Sequence, residues 1–187
     1  MPRHLTACFL VLALCAAGTL AWAATETPNL ALKKTATASG AEDNNPAANA
    51  VDGDAETRWC NADGATDCWW QVDLEKAQDL GGLEITWEHD GAVYNYMVEG
   101  SVDGKKWALL TDQRGSTSAT QVQKLLLSGP AARYVKITVT GLEDGSWASF
   151  FEVKVIDGAG MKKLTPEETK AYHGPAPIKS PATTQAK

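Results

Sequence analysis

The chain has 187 residues, of which 44% are hydrophobic and 21% charged, with 7 Trp, 16 Gly, 8 Pro and 4 Cys. This composition is typical of a soluble globular domain and excludes a disordered polymer or a disulfide-dense miniprotein. The formal charge of −6 disfavours nucleic acid and anionic lipid as main partners, and 3 His leave little room for a histidine-based catalytic or zinc site.

Residues 1–23 have the pattern of a secretory signal peptide. Arg3 supplies the positive start, residues 8–17 (CFLVLALCAA) form an apolar core, and residues 21–23 (AWA) match a signal peptidase cleavage site. A membrane anchor is the alternative, but two Thr and a Gly interrupt the segment and no strong basic stop follows it. We therefore expect a secreted, periplasmic or cell-surface protein after cleavage.

An acidic turn occupies residues 52–57 (DGDAET). Carboxylates, a glycine and a hydroxyl this close together can wrap a hard cation, because calcium takes six to eight oxygen ligands, including backbone carbonyls. An Asp-Gly turn with solvated acids has the same pattern. The residues alone leave both interpretations open.

Signal cleavage would remove Cys8 and Cys15 and leave Cys60 and Cys68. In an oxidising compartment this pair predicts a disulfide, which would stabilise the fold by about 2.5 kcal/mol. A metal site is less well supported, because two thiolates need two further ligands and no His lies nearby.

Short runs of alternating or β-branched residues follow one another through the rest of the body. They predict strands at Trp70–Leu74, Leu83–Trp87, Tyr96–Val102, Val122–Leu127, Tyr134–Val139 and Phe151–Val155. Turn signals separate them at Gly81-Gly82, Asp90-Gly91, Asp103-Gly104, Gly129-Pro130 and Asp144-Gly145. Many short strands without a three-turn helix predict an antiparallel sandwich or barrel.

The composition changes near Gly158. Residues 159–187 hold four of the eight prolines and no Trp, which predicts a flexible tail. A short helix is predicted from a Thr165 cap to Gly174, and it would be marginal unless it docks. The body, residues 29–158, has 11 basic and 20 acidic residues and a charge of −9, whereas the tail has a charge of +3.

Ordered blocks in the body resemble the discoidin family, also called the coagulation factor five/eight type C domain, and its bacterial relatives among the family 32 carbohydrate-binding modules. The blocks are Asn29-Leu30-Ala31, Ala36–Ser39, Ala50–Trp59, Trp70–Leu74, Tyr96–Trp107, Arg133–Ile137 and Phe151-Glu152-Val153. The resemblance implies an all-β, eight-stranded antiparallel jelly-roll β-sandwich of the galactose-binding type. No cysteine lies near Asn29 or Asp157, so the disulfide that ties the ends of the blood-protein members is missing.

The resemblance also implies a structural calcium site in the acidic turn. Carried across residue by residue, its ligands are the carboxylates of Asp52 and Glu152, the hydroxyl and carbonyl of Thr57, and the carbonyls of Asn49, Asp54 and Phe151. Such an ion would hold the first and last strands together.

The tryptophans divide into two groups. Trp59, Trp70 and Trp107 fall in blocks that form the core of the family, and Trp87 shares its face with Leu83 and Ile85. Trp69 and Trp147 lie at loop edges, where an exposed ring can stack on a sugar while polar neighbours bind its hydroxyls. The predicted ligand-binding residues are Trp69, Glu88, His89, Arg114 and Trp147, although His89 is equally well read as an exposed loop residue.

These observations predict a noncatalytic module that binds a glycan or a cell-surface glycoconjugate. A protein-adhesion or cell-surface structural role is the alternative, and the body charge disfavours phospholipid. Enzymatic activity is the least supported, because only His89 and His173 remain after cleavage and no nucleophile or phosphate-binding motif is present. Glu88 and Asp90 could form a hydrolytic pair, but nearly every polar sequence offers one.

Overall fold

The computed structural model describes residues 28–143, 145–162 and 164–172. The predicted signal peptide and the last fifteen residues lie outside this part of the chain. The described strands are β1 Thr35–Ala38, β2 Trp59–Cys60, β3 Cys68–Gln78, β4 Leu80–Trp87, β5 Tyr94–Ser101, β6 Ala108–Asp112, β7 Val122–Leu126, β8 Ala132–Leu142 and β9 Ser149–Asp157. A 3-10 helix spans Ala47–Val51, and two short helices follow, α1 Gly158–Met161 and α2 Pro166–Lys170.

The strands form two antiparallel sheets. One sheet has the order β1-β3-β8-β5-β6, and the other has the order β2-β9-β4-β7. The predicted antiparallel β-sandwich is therefore confirmed. The described part has nine strands where eight were expected, and β2 contains only two residues. Within the described ranges, no helix is both long enough and apolar enough to cross a membrane.

Alternation of side chains along the strands builds the core. In β3, Trp70 and Val72 are fully buried, whereas their neighbours Gln71 and Asp73 are only half-buried. The same period of two recurs in β4 and β5, as expected for strands with one face against the core. One glycine pair departs from the prediction, because Gly81 and Gly82 lie inside β4 instead of forming a turn.

An aromatic cluster fills one end of the core. The ring of Phe150 lies 4.8 Å from Trp59, 5.6 Å from Trp70 and 5.6 Å from Trp87, measured between centroids. Trp87 in turn stacks on Tyr94 at 4.0 Å. Aromatic pairs at such distances stabilise a fold beyond their buried area. These packed rings lie beneath the loops that connect these strands.

Five loops meet above these rings, and we call them together the loop end: residues 39–45, 61–67, 88–93, 113–121 and 143–148. Strand register places them on one side, since Ala38 pairs with Trp70, Cys68 with Val139, Tyr94 with Leu142 and Thr86 with Val122. Hydrogen bonds also join neighbouring loops. Examples are Gly91 N to Ala119 O at 2.8 Å and Val93 N to a Glu143 carboxylate oxygen at 3.1 Å.

The chain after β9 folds back on the four-stranded sheet. We call residues 158–172 the C-terminal strap. A Cβ at Gly82 would lie 2.7 Å from Met161 Sδ and 3.2 Å from Tyr172 Cε1, so the bare glycine makes room for both side chains. Tyr172 is 5% exposed. Residues 159–172 thus differ from the flexible tail predicted for this region.

The predicted helix start in the strap is confirmed. Glu168 N donates to Thr165 Oγ1 at 3.3 Å, and Thr165 N donates to Glu168 Oε2 at 2.7 Å, which is a reciprocal capping box. The helix ends at Lys170, and the predicted stop at Gly174 lies outside the described residues.

Candidate functional site

The predicted ligand-binding residues all lie at or beside the loop end. Glu88 and His89 follow β4, Arg114 follows β6, Trp147 precedes β9, and Trp69 is the second residue of β3. Their positions follow from the topology, since these strands all enter or leave the same end of the sandwich. How closely their side chains meet differs from residue to residue.

Glu88 and His89 belong to a charged cluster. Arg58 Nε lies 3.1 Å from Glu88 Oε1, and Arg58 Nη2 lies 3.9 Å from Glu42 Oε2. His89 Nε2 lies 3.8 Å from Glu88 Oε2. Arg58 therefore lies between two carboxylates from different loops and is closer to Glu88, and the half-exposed His89 lies beside Glu88.

Sequence reasoning missed Glu42 and Arg58 as members of this cluster. The polar run Glu42-Asp43-Asn44-Asn45 before Pro46 was the available signal, because four polar residues in a row need a solvated loop. Nothing local indicated that Arg58 reaches both Glu42 and Glu88, since these contacts depend on the folded loops.

An open depression of about 450 Å³ lies beside Glu42. Its lining comes from residues 41–45 and from Ala62 in the next loop. Two residues beyond Ala62, a Cβ at Gly64 would contact the indole of Trp147 at 3.5 Å. The Trp147 side chain is 38% exposed. The loop end thus combines an exposed aromatic ring with a polar depression.

Trp69 and Arg114 are not joined to this cluster by any contact among the described residues. Trp69 is half-buried on the outer face of the five-stranded sheet, in the row that also contains Thr138 and Met97. Arg114 pairs with Asp112, with Nε to Oδ1 at 2.9 Å and Nη2 to Oδ2 at 2.5 Å. This pairing lowers the pKa of Asp112 and occupies one edge of the guanidinium group.

The core role predicted for the other tryptophans holds for three of them. Trp59, Trp70 and Trp87 are fully buried. The core role predicted for Trp107 is wrong, because Trp107 is half-buried on the sheet surface with Lys136 Nζ 4.1 Å from its ring. It immediately precedes β6, at the opposite end from the loop end, where the core does not enclose it.

The acidic turn brings the predicted calcium ligands Asp52, Thr57 and Glu152 close together. Thr57 Oγ1 donates to Asp52 Oδ2 at 2.8 Å, and it lies 3.2 Å from the carbonyl oxygen of Asp54. Gly53 N donates to Glu152 Oε1 at 2.8 Å, which ties the turn to β9. These oxygen atoms come from an early turn and from the last strand, which are about 100 residues apart in the chain.

Burial, together with the negative charge of Asp52, raises the pKa of Glu152 to about 7. Two neighbouring carboxylates in a buried position are stabilised when a proton or a cation compensates their charge. Their oxygen atoms, with the Thr57 hydroxyl, are hard donors that suit calcium. The donor chemistry therefore fits the ion that the family resemblance implies.

The remaining predicted ligands are backbone carbonyls. Phe151 is the extra residue of a bulge in β9, because Thr86 pairs with Glu152 and Trp87 with Phe150. A bulged residue is left out of the ladder, so its carbonyl is not engaged by β4. Asn49 lies in the 3-10 helix beside the turn. No group of three or more His, Cys, Asp or Glu side chains suited to a metal exists in the described ranges, so carbonyl ligands would have to complete this site.

Cys60 and Cys68 are present in the structure as two free thiols, and both are buried. The predicted disulfide is thus not formed in it. Burial raises the pKa of each thiol to about 11, and Glu42 adds to the effect at Cys60.

Comparison with known proteins agrees with this geometry. The family model described as F5/8 type C domain matches residues 35–153. No curated protein matches the chain. Among solved structures, chitosan-binding module 1 from the chitosanase/glucanase of Paenibacillus sp. IK-5 is 28% identical, with a TM-score of 0.62 over 68% of this chain and 98% of that one.

Two further solved structures show the same fold. A pectin-binding carbohydrate-binding module is 26% identical, with a TM-score of 0.58 over 68% of this chain and 93% of that one. A family 32 carbohydrate-binding module of Clostridium perfringens, CpGH89CBM32-4, in complex with GlcNAc-α-1,4-galactose, is 23% identical, with a TM-score of 0.63 over 72% of this chain and 97% of that one.

Proposed function

Because the chain belongs to the F5/8 type C domain family, we propose that it is a noncatalytic carbohydrate-binding module that takes its ligand at the loop end. The observation that carries this proposal is the exposed Trp147 ring, which stands at the same end of the sandwich as a polar depression. The likeness to chitosan-binding and pectin-binding modules supports a glycan ligand.

The chemistry of the loop end suits a sugar. An indole face packs against the apolar C–H face of a pyranose, and nearby polar groups bind the hydroxyls. Glu42 and Glu88, which lie on either side of Arg58, offer acceptors, and the His89 side chain is 55% exposed. Affinity is expected to be modest, because a shallow open site buries few ligand atoms.

A bound calcium ion is part of the proposed function, in a structural role. It would be held by Asp52 and Glu152, the Thr57 hydroxyl and the neighbouring carbonyls, including those of Asn49, Asp54 and Phe151. Its positive charge would offset the repulsion between the two carboxylates. The ion would act by fixing the turn to β9.

Export and a Cys60–Cys68 disulfide complete the proposal. An oxidising compartment outside the cytoplasm is where glycan-binding modules meet their ligands and where disulfides persist. The bond would close the 61–67 loop, which contacts Trp147 through Gly64. The loop would then present the indole with less freedom.

The test is a binding measurement with the Trp147→Ala variant. We expect wild type to bind at least one glycan in a glycan array and by calorimetry, and the variant to lose about tenfold in affinity, since stacking on one ring supplies about 1.4 kcal/mol. Trp107→Ala is the matched control, because Trp107 is another tryptophan at the surface and lies at the opposite end.

The control should bind as wild type does, and both variants should keep the wild-type melting temperature. An array without any glycan signal, combined with binding to a cell-surface protein, would replace this proposal with the adhesion role. Equal binding by wild type and Trp147→Ala would show that the glycan does not bind at the Trp147 ring.

A further inference from the structure

The two sheets of the sandwich differ in what covers their outer faces. On the four-stranded sheet, the C-terminal strap places Met161 and Tyr172 against Gly82. The main contacts of α1 and of the 3-10 helix are with β1, β2, β4 and β9. Strands β8, β5 and β6 of the five-stranded sheet therefore keep an outer face that no described helix covers.

Strand register arranges the side chains of this outer face in rows. They alternate along the strands with Val98, Val135 and Ile137, which are fully buried in the core. We call the residues of three rows the open sheet face: Trp69, Thr138, Met97 and Asp112 in the first row, Gln71, Lys136, Glu99 and Leu109 in the second, and Asp73 and Tyr134 in the third. The side chains of Trp107, Arg114 and Arg133 extend it at its edges.

The open sheet face has the composition of a protein–protein interface. Trp69, Trp107 and Tyr134 are half-buried and present part of their rings to solvent. Met97 is half-buried as well, and Leu109 is 45% exposed. Tryptophan, tyrosine, methionine and arginine are enriched where proteins meet, and Trp, Tyr and Arg supply much of the binding energy there. Trp69, which lies apart from the proposed sugar site, belongs to this surface.

Contacts within the face hold its rings and cations in place before any partner binds. Lys136 Nζ lies 4.1 Å from the centroid of the Trp107 ring. Arg133 Nη2 lies 2.7 Å from Asp73 Oδ2, and the Arg133 guanidinium carbon lies 4.9 Å from the centroid of the Tyr134 ring. Cations over aromatic rings are attracted to them. Side chains that are already ordered lose less conformational entropy on association.

The charges of the open sheet face compensate one another. Its ion pairs are Lys136 with Glu99, Arg133 with Asp73, and Arg114 with Asp112. The body as a whole has a charge of −9, so two copies repel each other wherever uncompensated acids meet. Because three cations balance three acids on this face, the same surface on a second molecule can approach it without that repulsion.

We propose that the open sheet face is the contact surface of a homodimer, in which a second copy of the chain packs through the same face. A twofold dimer uses one patch twice, and it is the commonest assembly of soluble proteins. The described chain ends at Tyr172 on the opposite sheet, so the strap does not compete for this surface. The proposal is independent of the glycan that the loop end binds.

The size of the face sets the expected strength of the dimer. Five strands of about eight residues, about 4.8 Å apart and rising about 3.3 Å per residue, give each copy about 600 Å² of sheet. A dimer would then bury about 1,200 Å² in total, which is the lower limit for a specific interface. We therefore expect a weak dimer that dissociates on dilution.

Sedimentation velocity of the full chain after signal removal tests the proposal, from low to high micromolar concentration. A reductant in the buffer excludes dimers that are linked through Cys60 or Cys68. We expect the average sedimentation coefficient to rise with concentration as monomer converts to dimer. Leu109→Glu places an unpaired carboxylate on the open sheet face, and it should weaken dimerisation about tenfold.

Leu126→Glu is the matched control. Leu126 is also 45% exposed and lies on an edge strand, but it belongs to the four-stranded sheet. The two variants have the same net charge, so only the location of the new carboxylate differs. The control should dimerise as wild type does, and melting temperatures show whether each variant is folded.

A second variant keeps the test decisive if Leu109→Glu does not fold. Trp107→Ala removes a ring from the edge of the face, and it should weaken dimerisation several-fold while leaving glycan affinity unchanged.

Each outcome either supports or overturns the dimer. A chain that remains monomeric at every concentration overturns it. A dimer that both folded variants leave intact, or that Leu126→Glu weakens as much as Leu109→Glu does, overturns it as well, because the contact then lies elsewhere. Loss of glycan binding by monomeric Leu109→Glu would show that this face binds a glycan instead of a second copy. Absence of any glycan ligand would overturn the proposed function and leave the dimer unaffected.

Discussion

Glu152 shows how one buried carboxylate links the acidic turn to the last strand. It is 9% exposed, accepts a hydrogen bond from Gly53 N, and lies close enough to Asp52 for the two charges to interact. Without a cation, the folded chain therefore keeps a proton on Glu152 that an unfolded chain would release. Because ionising Glu152 inside the fold costs free energy, the stability of the folded chain depends on pH, and this dependence can be measured.

The first prediction concerns this dependence in the presence of a chelator. The folded pKa of about 7 lies above the ordinary glutamate value of 4.5, so the folded state binds more protons between these values. The contribution of Glu152 to stability should therefore be fully present below pH 4.5, fall as the pH rises to 7, and remain level above it. Melting temperatures measured across this interval test the expectation.

Calcium should raise the melting temperature at neutral pH and flatten this profile. Glu152→Gln should lose both the pH slope and the response to calcium, while Glu56→Gln, an exposed acid of the same turn, should keep both. A melting temperature that neither chelator nor calcium changes would contradict the proposed calcium site.

A second prediction at this scale concerns the thiols. A thiolate is the reactive form of cysteine, and burial holds the pKa of Cys60 and Cys68 at about 11. The reduced, folded chain after signal removal should therefore react very slowly with a thiol reagent at mildly alkaline pH, and two thiols should react once it is unfolded.

The same assay tests the proposed disulfide. Protein recovered from an oxidising compartment should show no reactive thiol even when unfolded, until a reductant is added. Two thiols in that sample would contradict the disulfide, and rapid reaction of the folded reduced chain would contradict the buried environment.

The burial and contacts of some individual residues can be predicted from the sequence, whereas those of others cannot. The buried roles of Trp59, Trp70 and Trp87 follow from the alternating pattern and the family resemblance, because a strand period alone assigns a face. Trp107 could not be placed in this way, since it precedes a strand and its environment depends on how Lys136 of β8 lies over it. Arg58 was missed because its partners come from two other loops.

The C-terminal strap is the element that sequence reasoning treated least well. The glycine pair at 81 and 82 has the composition of a turn, but in β4 it leaves a gap that Met161 and Tyr172 fill. Only the fold brings these distant segments together, so neither the gap nor its occupant can be predicted locally. The strands themselves could be predicted, because each one depends on its own pattern.

The strap should contribute to stability. Tyr172→Ala removes a ring that is 5% exposed, and we expect the free energy of unfolding to fall by about 3 kcal/mol. Tyr172→Phe keeps the ring and loses only the hydrogen bond to Glu84, so it should cost about 1 kcal/mol. Urea unfolding measures both. Equal stability of Tyr172→Ala and wild type would show that the strap does not hold the sheet.

At the scale of the whole molecule, the two ends of the sandwich have different characters. The loop end carries the exposed indole and the polar depression. The other end carries the short β3–β4 connection at Asp79, whose carbonyl accepts from Gly158 N at 2.9 Å where the strap begins. The strap also lies beyond the residues that match the family model, which end at 153. The strap thus meets the body that matches the family model at the end away from the proposed ligand.

This polarity predicts where the molecule tolerates an attached domain. A reporter protein fused after Lys187 should leave glycan affinity unchanged, because the strap directs the chain from β9 across the four-stranded sheet, away from the loop end. The same reporter inserted after Gly64 should abolish binding, since it separates the 61–67 loop from Trp147. Calorimetry with the glycan that wild type binds compares the two fusions, and melting temperatures show that each sandwich is folded. A folded Gly64 insertion that binds as wild type does would place the site elsewhere, and a folded C-terminal fusion that loses binding would contradict the separation of the two ends.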